Sequence, residues 1–307
     1  MSSNRLVSVL MPAFNAEKYI KQAIESILQQ TYPHFELLIL NDGSTDGTQK
    51  IIDQFDDVRI TSIALPSNQG LVQARNQLVF AAKGDYIAFL DADDIALPNR
   101  LQLQVSFLQA NSVDICGGAC YSLYEESSRL KASKQRYSDA DIRALITICS
   151  PMCNPAVMAK AEVFKGHPYQ PGKDYAEDYS LWAELALAGY SFANLREKLI
   201  TYRIHSSQTS RVKNSETNHI FNQSRSAYLL GLGMDGNVFP KSLLFPQRIR
   251  VGIPFMLQLN QKILGVSLMA NYEIYARFQF RGNGVLTPII RLERLLVALL
   301  ATIKGRL

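Results

Sequence analysis

Carboxylates crowd one short stretch of this chain. Asp91, Asp93 and Asp94 fall within four residues, directly after the apolar run at 86–90. Groups so close repel one another unless donors or a cation compensate, and a hard divalent ion held by oxygen ligands does so most simply. Such an ion draws phosphate. Two further segments of unusual composition also follow apolar runs: Pro12-Ala13-Phe14-Asn15 after 6–11, and Asn41-Asp42-Gly43-Ser44-Thr45-Asp46-Gly47-Thr48 after 36–40. In an open α/β sheet, ligands bind outside the carboxyl ends of the strands, where all three segments would lie. Arg75 offers a fixed positive charge to the same edge. Asp42 and Asp46 also suit the cap of a following helix. The spacing of Asp42, Ser44, Asp46 and Asp53 comes close to a calcium-binding helix-loop-helix. Against that, the element entering it reads as a strand, and Gln49 stands where an apolar anchor belongs.

The elements that must hold these residues show as an alternation. From residue 6, short continuous apolar runs alternate with amphipathic stretches, as in parallel strands covered by helices on both faces. Strands are predicted at 6–11, 36–40, 60–64, 86–90, 115–121 and 199–203, and helices at 16–29, 45–55, 70–82, 99–110, 139–148 and 178–187. Asn15 suits the N-cap of the first helix, and Pro98 the start of the fourth. A polar stretch covers 125–138. A Ser/Asn/Gln-rich stretch at 210–225 marks a boundary, and the remainder reads as helical with Gly and Pro interruptions. The expected organisation is one α/β domain over 1–210 and a mainly helical C-terminal region at 211–307.

With 307 residues, 47% of them hydrophobic and 19% charged, the composition excludes long disorder, collagen-like repeats and disulfide scaffolds. No apolar run reaches the ~20 residues that span a bilayer. The N-terminus lacks the pattern of a signal peptide, so a cytoplasmic location is expected. Charge is uneven: residues 211–307 hold 13 basic and 4 acidic side chains, whereas 1–210 hold 19 basic and 23 acidic. A basic segment rich in aliphatic residues suits an anionic lipid surface, and equally a solvated face. The cysteines pair as Cys116/Cys120 and Cys149/Cys153, a spacing unlike that of zinc knuckles, and read as buried free thiols.

Five segments together resemble the family 2 glycosyltransferases, inverting enzymes of the GT-A fold. They are Val7-Ser-Val-Leu-Met-Pro-Ala-Phe-Asn15, Asn41 to Thr48, Ala74-Arg75-Asn76, Phe89-Leu-Asp91-Ala92-Asp93-Asp94 and Ala176-Glu177-Asp178-Tyr-Ser-Leu-Trp182. The resemblance spans about 6–210. It implies a doubly wound, mostly parallel sheet with a nucleotide-binding half at 1–110 and a mixed, acceptor-side half at 111–210. Carried over, Pro12, Ala13 and Asn15 line the nucleotide pocket, Asp42 accepts a hydrogen bond from the base, and Arg75 lies nearby. Asp91-Ala92-Asp93 becomes the Asp-x-Asp motif. Asp91 then faces the ribose or a metal-bound water, and Asp93 holds Mn2+ or Mg2+ on the diphosphate. His205, in Tyr202-Arg-Ile-His-Ser-Ser, becomes a further metal or phosphate contact. Asp178 becomes the catalytic base, beside Glu177 on the acceptor side. Trp182, one helical turn further on, either stacks on an acceptor sugar or fills the core. One position departs from the family pattern: Asn154 precedes Pro155 where a His is expected.

The implied activity is a metal-dependent, inverting transfer of a sugar from a nucleoside diphosphate donor, a UDP-sugar, to a hydroxyl of a glycan or lipid-linked acceptor in cell-surface polysaccharide synthesis. The basic tail suggests peripheral membrane contact, and no nucleic-acid partner is expected. A nucleotidyltransferase acting on sugar phosphates would need a Gly-rich phosphate loop with an early basic residue, and Pro12 to Asn15 supply neither. A non-catalytic nucleotide-sugar-binding subunit would have no need of Asp91, Asp93 and Asp178 together.

Overall fold

A computed structural model describes residues 4–133, 138–206, 208, 214–236, 247–276 and 288–305. Of the stretch at 210–225 expected to form a boundary, residues 210–213 lie outside the described residues and the rest is helical. The chain builds a nine-stranded mixed sheet flanked by helices, the GT-A arrangement. The first half contains β1 (Val7–Ala13), α1 (Ile20–Leu28), β2 (Phe35–Asn41), α2 (Thr48–Ile52), β3 (Ile60–Ala64), α3 (Leu71–Ala81), β4 (Tyr86–Phe89), β5 (Ile95–Ala96) and α4 (Arg100–Ala110). β1 is buried throughout, because α1 covers one face of the sheet and α3 the other. That is why its sequence is almost continuously apolar. Pro12 is tolerated in this central strand because β4 pairs with β1 only as far as Leu10, so the missing N–H falls beyond that ladder.

The second half adds β6 (Ile115–Tyr124), β7 (Arg129–Ala132), α5 (Asp139–Leu145), β8 (Met158–Lys160), α6 (Ala161–Gly166), α7 (Glu177–Leu187) and β9 (Phe192–Ile204). Strand order is β3-β2-β1-β4-β8-β6-β9-β5, with β7 on β6. β8 runs antiparallel to both of its neighbours, β4 and β6, so the parallel sheet is interrupted at the middle. α7 therefore belongs to the second half yet packs in the same hydrophobic cluster as α3.

Several boundaries differ from the sequence expectation. α1 starts at Ile20, and Asn15 has a left-handed φ of 48°, so it ends the strand loop and does not cap the helix. α2 is shorter than expected because Asp46 accepts from Thr48 N (3.0 Å) and stops the segment from becoming helical earlier. β8 has three residues, too few for any periodicity to show. β9 begins seven residues before the predicted 199, since its register on β6 shifts between Leu195 and Lys198 and leaves Arg196 and Glu197 exposed in mid-strand.

Among the described residues four helices follow: α8 (Asn214–Gly231), α9 (Gln247–Lys262), α10 (Leu268–Ala276) and α11 (Pro288–Lys304). α8 lies on α7, with the Tyr179 and Phe221 rings stacked at 3.9 Å and the Ser180 and Ser224 hydroxyls 2.7 Å apart. α9, α10 and α11 share a third core with α5. Within it Asn271 hydrogen-bonds Asn260 and Thr302, so one buried amide network ties the last three helices. None of the four cysteines forms a disulfide; Cys116 and Cys120 lie in the core, whereas Cys149 and Cys153, expected to be buried, are only partly so. Among the described residues no helix is long and apolar enough to cross a membrane.

Candidate active site

The ends of β1 and β2 are tied to each other. Asn15 N donates to Ser44 Oγ (2.9 Å), Thr45 N donates to Asn15 Oδ1 (2.9 Å), and Ala16 N donates to Thr48 Oγ1 (2.8 Å). The left-handed backbone at Asn15 is what turns its amide and side chain toward this loop. Asp42 is buried, and its two oxygens accept from Gln69 N (2.8 Å) and Gly70 N (3.0 Å). It therefore holds the loop at 66–70 across the sheet edge. Gly43, at φ 67°, permits that approach: a Cβ there would sit 2.4 Å from the carbonyl carbon of Ser67. Pro12, Ala13 and Ala92 are buried at the strand ends, so they shape the floor of this edge through backbone and small side chains.

The second group of residues is charged. Arg75, on α3 and nearly inaccessible, pairs through Nη1 with Glu177 and through Nη2 with Asp91 (3.2 Å), while the Tyr169 ring lies 5.5 Å from its guanidinium carbon. Burial opposes the charge on Arg75, but Glu177 and Asp91 outweigh it and hold the guanidinium protonated. The neighbouring Asn76 clamps the Tyr169 backbone, donating to its carbonyl (2.8 Å) and accepting from its N–H (2.9 Å). Ala74-Arg75-Asn76 thus fastens two distant segments to α3.

Asp178 stands next to that pair at the first turn of α7, partly exposed, with Oδ1 accepting from Tyr179 N (2.7 Å). Burial and the adjacent Glu177 push its carboxyl up to about 7, with Arg75 pulling the other way. Asp91 is raised as well, by burial first, against the pull of Arg75. The third group lies after β4 and at the end of β9. Asp93 Oδ2 is 2.9 Å from His205 Nε2. Asp94 is fully buried: Arg203 N donates to its Oδ1 (2.8 Å), while Oδ2 has no partner, and burial beside Asp93 and Asp91 holds its carboxyl well above the usual range. Arg203 Nε donates to the Asp93 carbonyl (2.9 Å), and Tyr19 packs against both Arg203 and His205.

The expected residues therefore converge on one edge, with two corrections. Trp182 has no exposed surface and lies edge-on to Phe164 in the core. It shares a helix face with Asp178, but one turn further along α7 that face is already buried. Glu177 does not face outward to an acceptor: it is buried against Arg75. Asn154 is also buried, and neither its amide nitrogen nor its amide oxygen has a partner. Tyr19, Tyr169 and the structural role of Arg203 were not foreseen. Their side chains act through contacts between segments remote in sequence, which no local spacing marks.

The family model for "Glycosyl transferase family 2" matches residues 8–165, a little over half of the chain. The chain belongs to glycosyl transferase family 2. It is similar to a glycosyltransferase of Haemophilus influenzae (strain Rd), named without a characterised activity, at 34% identity over 252 residues, covering 76% of this chain and 78% of that one. It is 31% identical over 214 residues to the Escherichia coli UDP-Glc:alpha-D-GlcNAc-diphosphoundecaprenol beta-1,3-glucosyltransferase WfaP, covering 69% of this chain and 82% of WfaP. Among solved structures, S. aureus TarS 1–349 in complex with UDP-GlcNAc shares the fold at a TM-score of 0.59 and 18% identity, covering 98% of this chain and 92% of that one.

In this glycosyltransferase the raised Asp178 carboxyl carries a stability consequence. An unfolded Asp titrates near 4 and the folded one at about 7, so ionising it costs stability as pH rises between those values, and the full cost remains above 7. Asp178→Asn removes that cost. Its Tm should exceed wild type at pH 8, and the gap should close as pH falls to 4 and below. Calorimetry across that pH range checks it.

Proposed function

We propose that this enzyme transfers a sugar, with inversion, from a UDP-sugar to a hydroxyl of a lipid-linked glycan, with Asp178 as general base. The observation that carries the reading is the Asp178 carboxyl itself: partly exposed, raised to about 7, and positioned by the buried Glu177–Arg75 pair. A base works best when its pKa lies near the working pH. As the acceptor oxygen bonds to the anomeric carbon, its proton passes to Asp178, and the bond from that carbon to the diphosphate oxygen breaks on the opposite side. WfaP, by its name, uses UDP-Glc and a diphosphoundecaprenol-linked acceptor, which supports this choice of donor and acceptor class. The roles of Pro12, Ala13, Asn15, Asp42, Arg75, Asp91 and Ala92 are then to form and stiffen the donor edge.

The donor set at Asp93 and His205 fits a divalent cation. Among the described residues no three metal-ligating side chains converge. One carboxylate and one imidazole in contact still suit Mn2+ or Mg2+, ions that complete their shell with water and substrate phosphate oxygens. When bound, such an ion supplies charge neutralisation for the diphosphate leaving group. Arg203 and Tyr19 hold the His205 and Asp93 groups in place for it.

The apolar outer face of α11 supports peripheral membrane contact. Leu292, Leu295, Leu296, Leu299 and Ile303 recur at helical spacing and are about half exposed, in a region whose charge is +9. An anionic bilayer complements both features, and a lipid-linked acceptor would be met there.

Three measurements follow. Asp178→Asn should lower turnover by about 10²–10⁴-fold with UDP affinity nearly unchanged, and wild-type kcat/KM should rise with pH through about 7, where the base loses its proton. Unchanged turnover, or donor binding lost in proportion, assigns the base elsewhere. In calorimetry Asp93→Ala should weaken UDP binding and remove its sensitivity to EDTA; equal wild-type affinity in EDTA and Mn2+ would show that the acidic motif is structural. The full chain should float with phosphatidylglycerol vesicles, and the double variant Leu295→Asp/Leu299→Asp should not; equal flotation of both rejects the contact through α11.

A further inference from the structure

A cleft of about 660 Å³ opens beside the first turn of α7, outside the span matched by the family model. Asp174 and Tyr175 line one wall, and Glu216, His219 and Gln223 of α8 line the other. The α8 wall is fixed to the helix that bears Asp178 by the stacked Tyr179 and Phe221 rings and by the Ser180–Ser224 contact. The Asp174 wall touches the donor edge: a Cβ on Gly70, the residue whose N–H is held by Asp42, would stand 3.3 Å from Asp174 Oδ1. Thus the cleft lies between the segment that leads into α7 and a helix packed on α7, and it borders the loop held by Asp42. An acceptor whose hydroxyl reaches Asp178 has this space for its next part.

The lining chemistry selects what that part is. Tyr175 keeps more than a third of its surface exposed, on a backbone at φ 75° that a tyrosine adopts only when its surroundings impose it. An exposed aromatic ring offers an apolar face to the C–H face of a pyranose. Around it, Asp174 and Glu216 accept hydrogen bonds, Gln223 both donates and accepts, and His219 is joined to Gln223 at 2.9 Å. Among the described residues that line the cleft there is no Lys or Arg, and two carboxylates repel phosphate.

We infer that this cleft is a subsite for a neutral, unphosphorylated pyranose of the acceptor, with Tyr175 as its platform and Glu216 as a hydroxyl partner. The inference rests on the transferase reading above and deepens it: the acceptor's phosphates lie elsewhere, and α8, outside the matched family span, sets acceptor specificity.

Saturation-transfer NMR on the full chain with UDP present tests this, using octyl glycosides of glucose, galactose and N-acetylglucosamine, with octyl phosphate as the charged control. At least one glycoside should bind wild type, with no signal from octyl phosphate. Tyr175→Ala and Glu216→Gln should each weaken that glycoside roughly tenfold, the loss of one good contact, whereas Tyr175→Phe should retain it. UDP affinity, measured by calorimetry, should be the same in all four proteins, which also reports that each variant is folded. No glycoside binding to wild type, equal binding to Tyr175→Ala and Glu216→Gln, or competition by octyl phosphate overturns the subsite. Failure of wild type to bind UDP overturns the donor reading instead.

Discussion

Arg75 is a cation taken almost wholly out of water, and such a group persists only when its charge is matched within the fold. Glu177 and Asp91 match it. These two carboxylates come from α7 and from the end of β4, so the pairing fixes three elements relative to one another: the helix that covers the parallel half, the strand end bearing the acidic motif, and the first turn of the helix from the second half. Asp178 follows Glu177 directly, and its position is inherited from that pairing. The same helix α3 holds Tyr169 through Asn76, which closes the guanidinium under an aromatic ring. Removing the Arg75 charge would leave the buried Glu177 carboxylate and the partly exposed Asp91 carboxylate without their shared counter-charge.

The two sides of the site are built by different physics. On the donor side Asp42 and Asp46 accept from backbone N–H groups, contacts that satisfy their oxygens and fasten loops. On the other side Asp91, Asp94 and Asp178 are all raised, and Asp94 has one oxygen without a partner. A protein that gains nothing from such crowding would replace it with neutral residues, because like charges in a low dielectric cost stability. Local conflicts of this kind concentrate at working sites.

How far these features show in the sequence depends on their range. The parallel strands β1 to β4 were legible because both of their faces are covered, which demands near-continuous apolar runs. The placement of Asp91 and Asp93 at a strand end was legible from the apolar run before them, whereas Asp178 was marked by the family resemblance. β8 was not, since three residues carry no period, and β9 was cut short by the charged residues of its register shift. Glu177 illustrates the harder limit. The family resemblance put it on the acceptor side, but its partner lies 102 residues away on another helix, and only the fold brings them together. Trp182 was ambiguous for a related reason: helical spacing tells which residues share a face, and the depth of that face is set by the sheet beneath it.

β8 runs antiparallel to both β4 and β6, so β6 and β9 keep the direction of β4. α7 precedes β9 in the chain, and its N-terminus therefore lies at the edge where β4 and β9 end. A helix N-terminus favours the ionised state of a carboxylate in its first turn. For Asp178 that preference, with the pull of Arg75, acts against burial and the Glu177 charge, and the balance leaves a carboxyl titrating at about 7. Weaker opposition would give an ordinary surface acid that is a poor proton acceptor, and stronger opposition a permanently protonated one. The pairing of Glu177 with Arg75 thus sets the geometry on which the basicity of one side chain depends.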